Sequence, residues 1–350
     1  MKFNDLQVQA GSALAECDGR IAKDSSLDLK IRAVMEDLSL FFPEYSGSLK
    51  LQGTATGNQE NPGVDLVLEG SGLDIAGYSL NTLQGKLDAD LVMEGKESGM
   101  KINELKLLLN EAMSLGVTGQ IGWAEGISWQ TELHGEQLNP GILAAEWPGT
   151  IHTKIRSQGV RTAENLVAKV QLDELNGTLR DLPLAGSGTV EINGKKINIE
   201  DLHLQSGTTQ LDVDGQADEE KLHFTLQARS DDLSPLVPGI QGGFEARAEA
   251  LGDPTRPVVT LALSGSELAF QEYTLQQLQT NLKAALVLQG ENQGAKVDDL
   301  RLVLNKKSTL AASGQIGWAD GLSWQVDLSG NKLDPGLFLP EWSGEITTTI

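Results

Sequence analysis

Apolar and polar residues alternate with a period of two through most of the chain. In VDLVLEG (64–70), Val64, Leu66 and Leu68 fall on one face. The same alternation runs through LKLLLN (105–110), GTVEING (188–194), INIEDLHLQ (197–205), LDVDG (211–215), LHFTLQAR (222–229), VTLALSG (259–265) and LRLVLN (300–305). Each run then meets Gly, Asn or Asp, the mark of a half-buried strand followed by a turn. The Asn-Gly pair at 193–194 and the Asp-Gly pairs at 18–19 and 214–215 read as tight turns. Strands with one wet face belong mainly to antiparallel sheets. The pattern therefore predicts an all-β chain: an elongated, repetitive, mostly antiparallel sheet with little helix. At about 12 residues per strand and turn it would hold roughly 28 strands. A single helical turn is predicted after the proline in LNPGILAAEWPG (138–149) and in LDPGLFLPEWSG (333–344).

The pattern repeats. GQIGWAEGISWQ (119–130) returns as GQIGWADGLSWQ (314–325), an offset of 195. Leu105, Leu107 and Asn110 match Leu300, Leu302 and Asn305, and Tyr78, Leu80 and Leu83 match Tyr273, Leu275 and Leu278. The register holds from about Leu27 to Ile155 against Leu222 to Ile350, and shifts to 196 before that, where Asp18 and Gly19 face Asp214 and Gly215. The chain thus divides into a first unit, 1–155, and a second, 156–350. Each splits again, because a phrase of the form LxPxxLxPEWxG recurs in variants near 38–47, 138–149, 233–242 and 333–344. Solenoids carry atypical terminal repeats; none is visible here, and the chain is expected to be a piece of a longer array.

Composition narrows the function. The net charge is −22, which opposes nucleic acid and the direct adhesion of the chain to an anionic bilayer. Gly is abundant, at 39 residues, and aromatics make up 5%, so turns are many and the interior is aliphatic. No window approaches the roughly 18 apolar residues of a spanning helix, and the first residues lack the apolar core of a signal peptide. The one cysteine, Cys17, excludes an intrachain disulfide.

Candidate chemistry is sparse. His134, His152, His203 and His223 have neither metal-ligand spacing nor a motif partner. His134 and His152 become Ser329 and Thr347 in the second copy. Cys17 faces Val213 in the repeat and reads as a small hydrophobe. Acidic stretches such as QADEEK read as solvated surface rather than calcium loops or catalytic pairs. The tryptophans fall in repeat pairs, Trp123/Trp318, Trp129/Trp324 and Trp147/Trp342. They read as edge or corner anchors, the alternative being a platform for stacking glycans. No enzyme, cofactor or metal site is predicted.

A long aliphatic face has two outcomes. If the sheet closes, the face is core, as in a surface adhesin or structural β-solenoid. If it curls without closing, it is an apolar trough that needs a long apolar ligand. The stretch SGSLKLQGTATGNQENPGVDLVLEGSGLDIAGYSLNTLQGKL (46–87), its copy at 242–282, and the phrases LNPGILAAEWPGTI and LDPGLFLPEWSGEI resemble the periplasmic repeat region of the TamB family, within the AsmA-like group. The resemblance implies a β-taco with a hydrophobic groove. It implies phospholipid transfer between the inner and outer membranes of a diderm bacterium, or support of outer-membrane protein assembly and secretion with a barrel of the TamA or BamA type. Such a protein is anchored in the inner membrane, and that anchor is expected outside this piece. The family offers no catalytic residues. What the resemblance transfers is a lipid-facing inward face: Val64, Leu66, Leu68, Leu105, Leu107, Leu109, Val190, Ile192, Leu202, Leu204, Leu222, Phe224, Leu226, Val259, Leu261, Leu263, Leu300, Leu302 and Leu304.

Overall fold

A computed structural model describes residues 2–349, apart from 76–77, 236, 238, 271–272, 291, 320, 335 and 337–343. By contacts the chain forms two units, Met1–Asp181 and Leu182–Ile350. The first holds β1 (Lys2–Ala10), β2 (Ala13–Ile21), β3 (Ser26–Met35), β4 (Tyr45–Asn58), β5 (Pro62–Ile75), β6 (Tyr78–Val92), β7 (Gly99–Leu109), β8 (Met113–Gly122), β9 (Ile127–Leu138), β10 (Gly149–Arg161) and β11 (Leu166–Leu179). The second holds β12 (Leu182–Asn193), β13 (Lys196–Ser206), β14 (Thr209–Ala217), β15 (Leu222–Ser230), β16 (Ile240–Asp253), β17 (Arg256–Phe270), β18 (Tyr273–Val287), β19 (Gly294–Leu304), β20 (Ser308–Gly317), β21 (Ser323–Leu333) and β22 (Ile346–Thr349). Within each unit every strand pairs antiparallel with the next, a plain meander.

The all-β, antiparallel expectation holds, but the described strands number 22 rather than roughly 28. They are longer than the sequence suggests, because several apparent turns lie inside them. Both Asp-Gly pairs are examples. Gly19 sits within β2 opposite Leu29, and Gly215 within β14 opposite Phe224. Their φ angles are 141° and 153°, and a Cβ there would lie 2.1 Å from Asp28 O and 2.3 Å from His223 O. Glycine is thus needed for close approach of two strands, not for chain reversal. The Asn-Gly pair does reverse the chain: Asn193 faces Lys196 and Gly194 has φ 60°.

The helical turn expected in 138–149 is a 3₁₀ turn, Pro140–Ile142, and a further 3₁₀ turn that was not expected lies at Leu38–Leu40; residues 335 and 337–343 of the last phrase lie outside the described residues. Each phrase opens on an Asp or Asn whose side chain staples the loop. Asp37 Oδ1 accepts from Ser39 N–H at 2.9 Å. Asn139 Oδ1 accepts from Gly141 N–H at 2.9 Å and Gly149 N–H at 3.2 Å. Asp232 Oδ1 accepts from Ser234 N–H at 3.0 Å and Gly242 N–H at 3.3 Å. Asp334 Oδ1 does the same for Gly336 and Gly344 at 2.9 and 3.4 Å. In the last three phrases one oxygen thereby ties the turn to the start of the next strand, satisfying amides that the ladder does not reach.

Hydrogen bonds from Ser39 hold the Asp37 carboxyl below its usual pKa, and those from Ser234, then from Gly242, do so for Asp232. A depressed folded-state pKa contributes stability that is present above the unfolded value and lost as pH falls through the folded one. Amide protection at Ser39, Ser234 and Gly242, measured by hydrogen exchange, is therefore expected to fall below the ordinary carboxylate range. Gly141 and Gly149, held by the non-titrating Asn139, keep theirs relative to the strands beside them.

Candidate functional site

Directly opposed residues in an antiparallel pair share a face, so the registers define rows that run across each sheet. In the first unit one row reads Leu6, Cys17, Ile31, Gly53, Leu66, Leu87, Leu105, Val117, Leu133, Ile155 and Leu172, from β1 to β11 without a polar residue. In the second unit a row reads Leu202, Val213, Leu226, Ala248, Leu261, Leu282, Leu300, Ala312 and Leu328, from β13 to β21. Adjacent rows flank these. Val64 lies between Ala55 and Ala89, Leu68 between Leu51 and Gly85, Leu107 between Gly85 and Leu115, and Leu109 between Leu83 and Met113. In the second unit Val190 and Ile192 face Ile199 and Ile197, and Leu204 faces Leu211. Leu222, Phe224, Val259 and Leu263 face Gly252, Ala250, Ala250 and Ala246; Leu302 and Leu304 face Leu310 and Ser308. The registers thus place all of the predicted inward positions of each unit on one face of its sheet.

That face is half covered. Every predicted inward residue is of intermediate exposure and none is buried. The buried apolar residues among those described are mostly small, such as Ala55, Ala89, Ala168, Ala246 and Ala284. The accessible surface is 21972 Å² for 37.5 kDa. Two separate compact globules of half that mass would expose about 17,000 Å² together. The larger value means that the units bury, on average, less of their surface than compact globules would.

One device at the rim was not read from the sequence. Leu73, Leu138, Leu268 and Leu333 each fold back over the glycine three residues earlier. A Cβ on Gly70, Gly135, Gly265 or Gly330 would sit 2.3–2.7 Å from that leucine's methyl group. The residue just before each leucine takes a left-handed conformation: Gly72, Gln137, Glu267 and Lys332, with φ of 50–56°. Among the described residues this Gly-x-x-Leu hook occurs four times, and its recurrence as GSGL, GEQL, GSEL and GNKL was the available signal. Leu73 is 2% exposed and ends its apolar face firmly. Polar residues do enter the second face: Thr280, between Leu263 and Leu302, has a buried hydroxyl with no hydrogen-bond partner among the described residues, as has Ser206 beside Leu204.

The opposite face carries ion pairs. Arg156 donates two 2.5 Å hydrogen bonds to Asp173, which lower the carboxyl's pKa and raise the guanidinium's. Lys154, and then His134, hold Glu132 below its usual pKa, at 2.8 and 2.7 Å. A polar depression of about 760 Å³ lies here, lined by Lys101, Gln120, Gln130, Glu132, Arg156 and Gln158 among others. His203 and His223 each meet one carboxylate, Asp212 and Glu249. Among the described residues no three His, Cys, Asp or Glu side chains are grouped to hold a metal. Cys17 lies in the apolar row between Leu6 and Ile31. Trp129 donates from Nε1 to Ser157 Oγ at 2.8 Å, and Arg180 lies over Trp147 at 5.0 Å. Trp123, Trp318 and Trp324 are exposed, and Trp342 lies outside the described residues.

The chain is similar in sequence to known proteins. The family profile described as "TamB, N-terminal domain" matches residues 85–285, more than half of the chain. The chain belongs to the TamB family. A curated relative, "Translocation and assembly module subunit TamB" of Haemophilus influenzae (strain ATCC 51907 / DSM 11121 / KW20 / Rd), is 26% identical over 204 residues. That match covers 58% of this chain and 15% of the relative, so the chain spans a small part of the length of the TamB protein it resembles. No solved structure matches. Among the described residues no helix is long and apolar enough to cross a membrane.

The hooks and the open rows should respond differently to truncation. Leu73→Ala removes a fully packed side chain and is expected to cost about 2–4 kcal/mol in denaturant unfolding. Leu66→Ala, on the half-exposed row, is expected to cost about 1 kcal/mol, since less of its surface leaves water on folding.

Proposed function

We propose that the apolar face is a hydrophobic groove that conducts phospholipid between the inner and outer membranes, in the periplasm of a diderm bacterium. The observation that carries this reading is the unbroken apolar row, eleven strands wide in the first unit and half exposed along its length. Water on such a face is unfavourable, and an acyl chain covering it gains about 0.8 kcal/mol for each CH₂ buried. A row of Leu, Ile, Val and Ala offers nearly the same environment at every step. A chain moving along it therefore meets no deep trap. The role is conductive, with no catalytic residue required.

The relative's printed name supports a second part of the proposal, that the protein serves a translocation and assembly module. In that role it would be anchored in the inner membrane and meet an outer-membrane barrel of the TamA or BamA type, supporting assembly and secretion of outer-membrane proteins. A dry, closed β-solenoid is opposed by the excess of accessible surface and by the intermediate exposure of every predicted inward residue.

Photocrosslinking residues at Leu66 and Leu261 are expected to capture phospholipid, and one at Asp65, on the opposite face, is not. Leu66→Asp or Leu261→Asp should block lipid passage in a vesicle-to-vesicle assay while leaving the circular-dichroism strand signal unchanged. Capture from Asp65 alone would sink the proposal.

A further inference from the structure

We infer that the first unit selects lipids by headgroup charge, favouring a zwitterionic headgroup that carries an ammonium over a net-anionic one; this rests on the lipid-conducting reading above. The row from Leu6 to Leu172 holds no side chain that could solvate a phosphate, so a lipid whose acyl chains lie on it keeps its headgroup toward an edge of the sheet. In a meander those edges are the two rims of hairpin turns. One rim, made by the turns after β2, β4, β6, β8 and β10, exposes Glu60, Glu94, Glu97 and Glu125. The other exposes Glu44 and Glu146. Lys23 and Lys96 are the only cations among the described turn residues that join β1 to β11. The whole chain adds its net charge of −22.

Carboxylates outnumber cations in these turns, so a headgroup leaving the groove at either rim enters a predominantly negative field. A net-anionic headgroup is repelled there. A zwitterionic one can turn its ammonium toward the carboxylates and hold its phosphate back. The contacts are solvent-exposed, so the preference is modest and screened by salt over a Debye length of about 8 Å at physiological ionic strength.

The test uses the 350-residue chain and phosphatidylcholine vesicles carrying equal small shares of phosphatidylethanolamine and phosphatidylglycerol with identical acyl chains. A common vesicle surface makes the approach of the protein the same for both lipids. After re-isolation, bound lipid is quantified by mass spectrometry. Phosphatidylethanolamine is expected to exceed phosphatidylglycerol by about threefold at low salt, and the ratio to approach one at about 1 M salt, where screening is nearly complete. The quadruple variant E60Q/E94Q/E97Q/E125Q should bring the low-salt ratio toward one without reducing total bound lipid. Equal capture at low salt, or a preference that neither salt nor the variant changes, would overturn the selectivity while leaving the groove intact. Absence of any bound lipid, the carrier included, would overturn the groove and the selectivity with it.

Discussion

Everything in this structure depends on register. In a sheet whose two faces differ, a slip of one residue turns every side chain of a strand over. Here a slip at β5 would put Asp65 or Val67 in the row that Leu66 now shares with Gly53 and Leu87, and turn Asp65, Val67 and Glu69 onto the apolar face. The pairings avoid this across both units, and where they break at bulges they recover the apolar phase. Between β6 and β7, Leu87 faces Leu105 on one side of a bulge and Ala89 faces Ile102 on the other. Between β18 and β19, Leu282 faces Leu300 and Ala284 faces Val297 in the same way. The bulge stands at the same place in both copies, so it is part of the repeat.

A sheet without a covering layer must find its stability elsewhere than in a thick core. Long ladders of backbone hydrogen bonds supply part of it. The Gly-x-x-Leu hooks and the stapled loops supply local fixed points, at intervals along one rim of each unit. The exposed ion pairs on the polar face add little each, but they keep that face wet and so mark which side is which. The consequence is a protein in which a residue that matters for packing, Leu73, is distinct from those available to a ligand, such as Leu66 and Leu261.

Much of this was legible because a period of two is a local signal. Val64, Leu66, Leu68 and their counterparts at Val259, Leu261 and Leu263 could be assigned to one face from alternation and repeat alone. Strand ends could not. Gly70, Ser71 and Gly72 read as a turn yet lie inside β5, because Gly70 is needed to make room for Leu73 and Gly72 to turn that leucine back. Asp18 and Gly19 mislead for a related reason: the glycine answers to a carbonyl on the neighbouring strand, which sequence alone does not display. The charge of the rims was present in the composition but had no address until the meander sorted the turns onto two edges.

The claim at the centre is that the apolar face is covered by lipid rather than by protein. Native mass spectrometry of the chain, purified gently from cells and sprayed without detergent, tests it most directly. The account predicts adducts at phospholipid masses that are lost when Leu66 and Leu261 are both replaced by Asp. A chain that flies at its bare mass, with or without those substitutions, would contradict it.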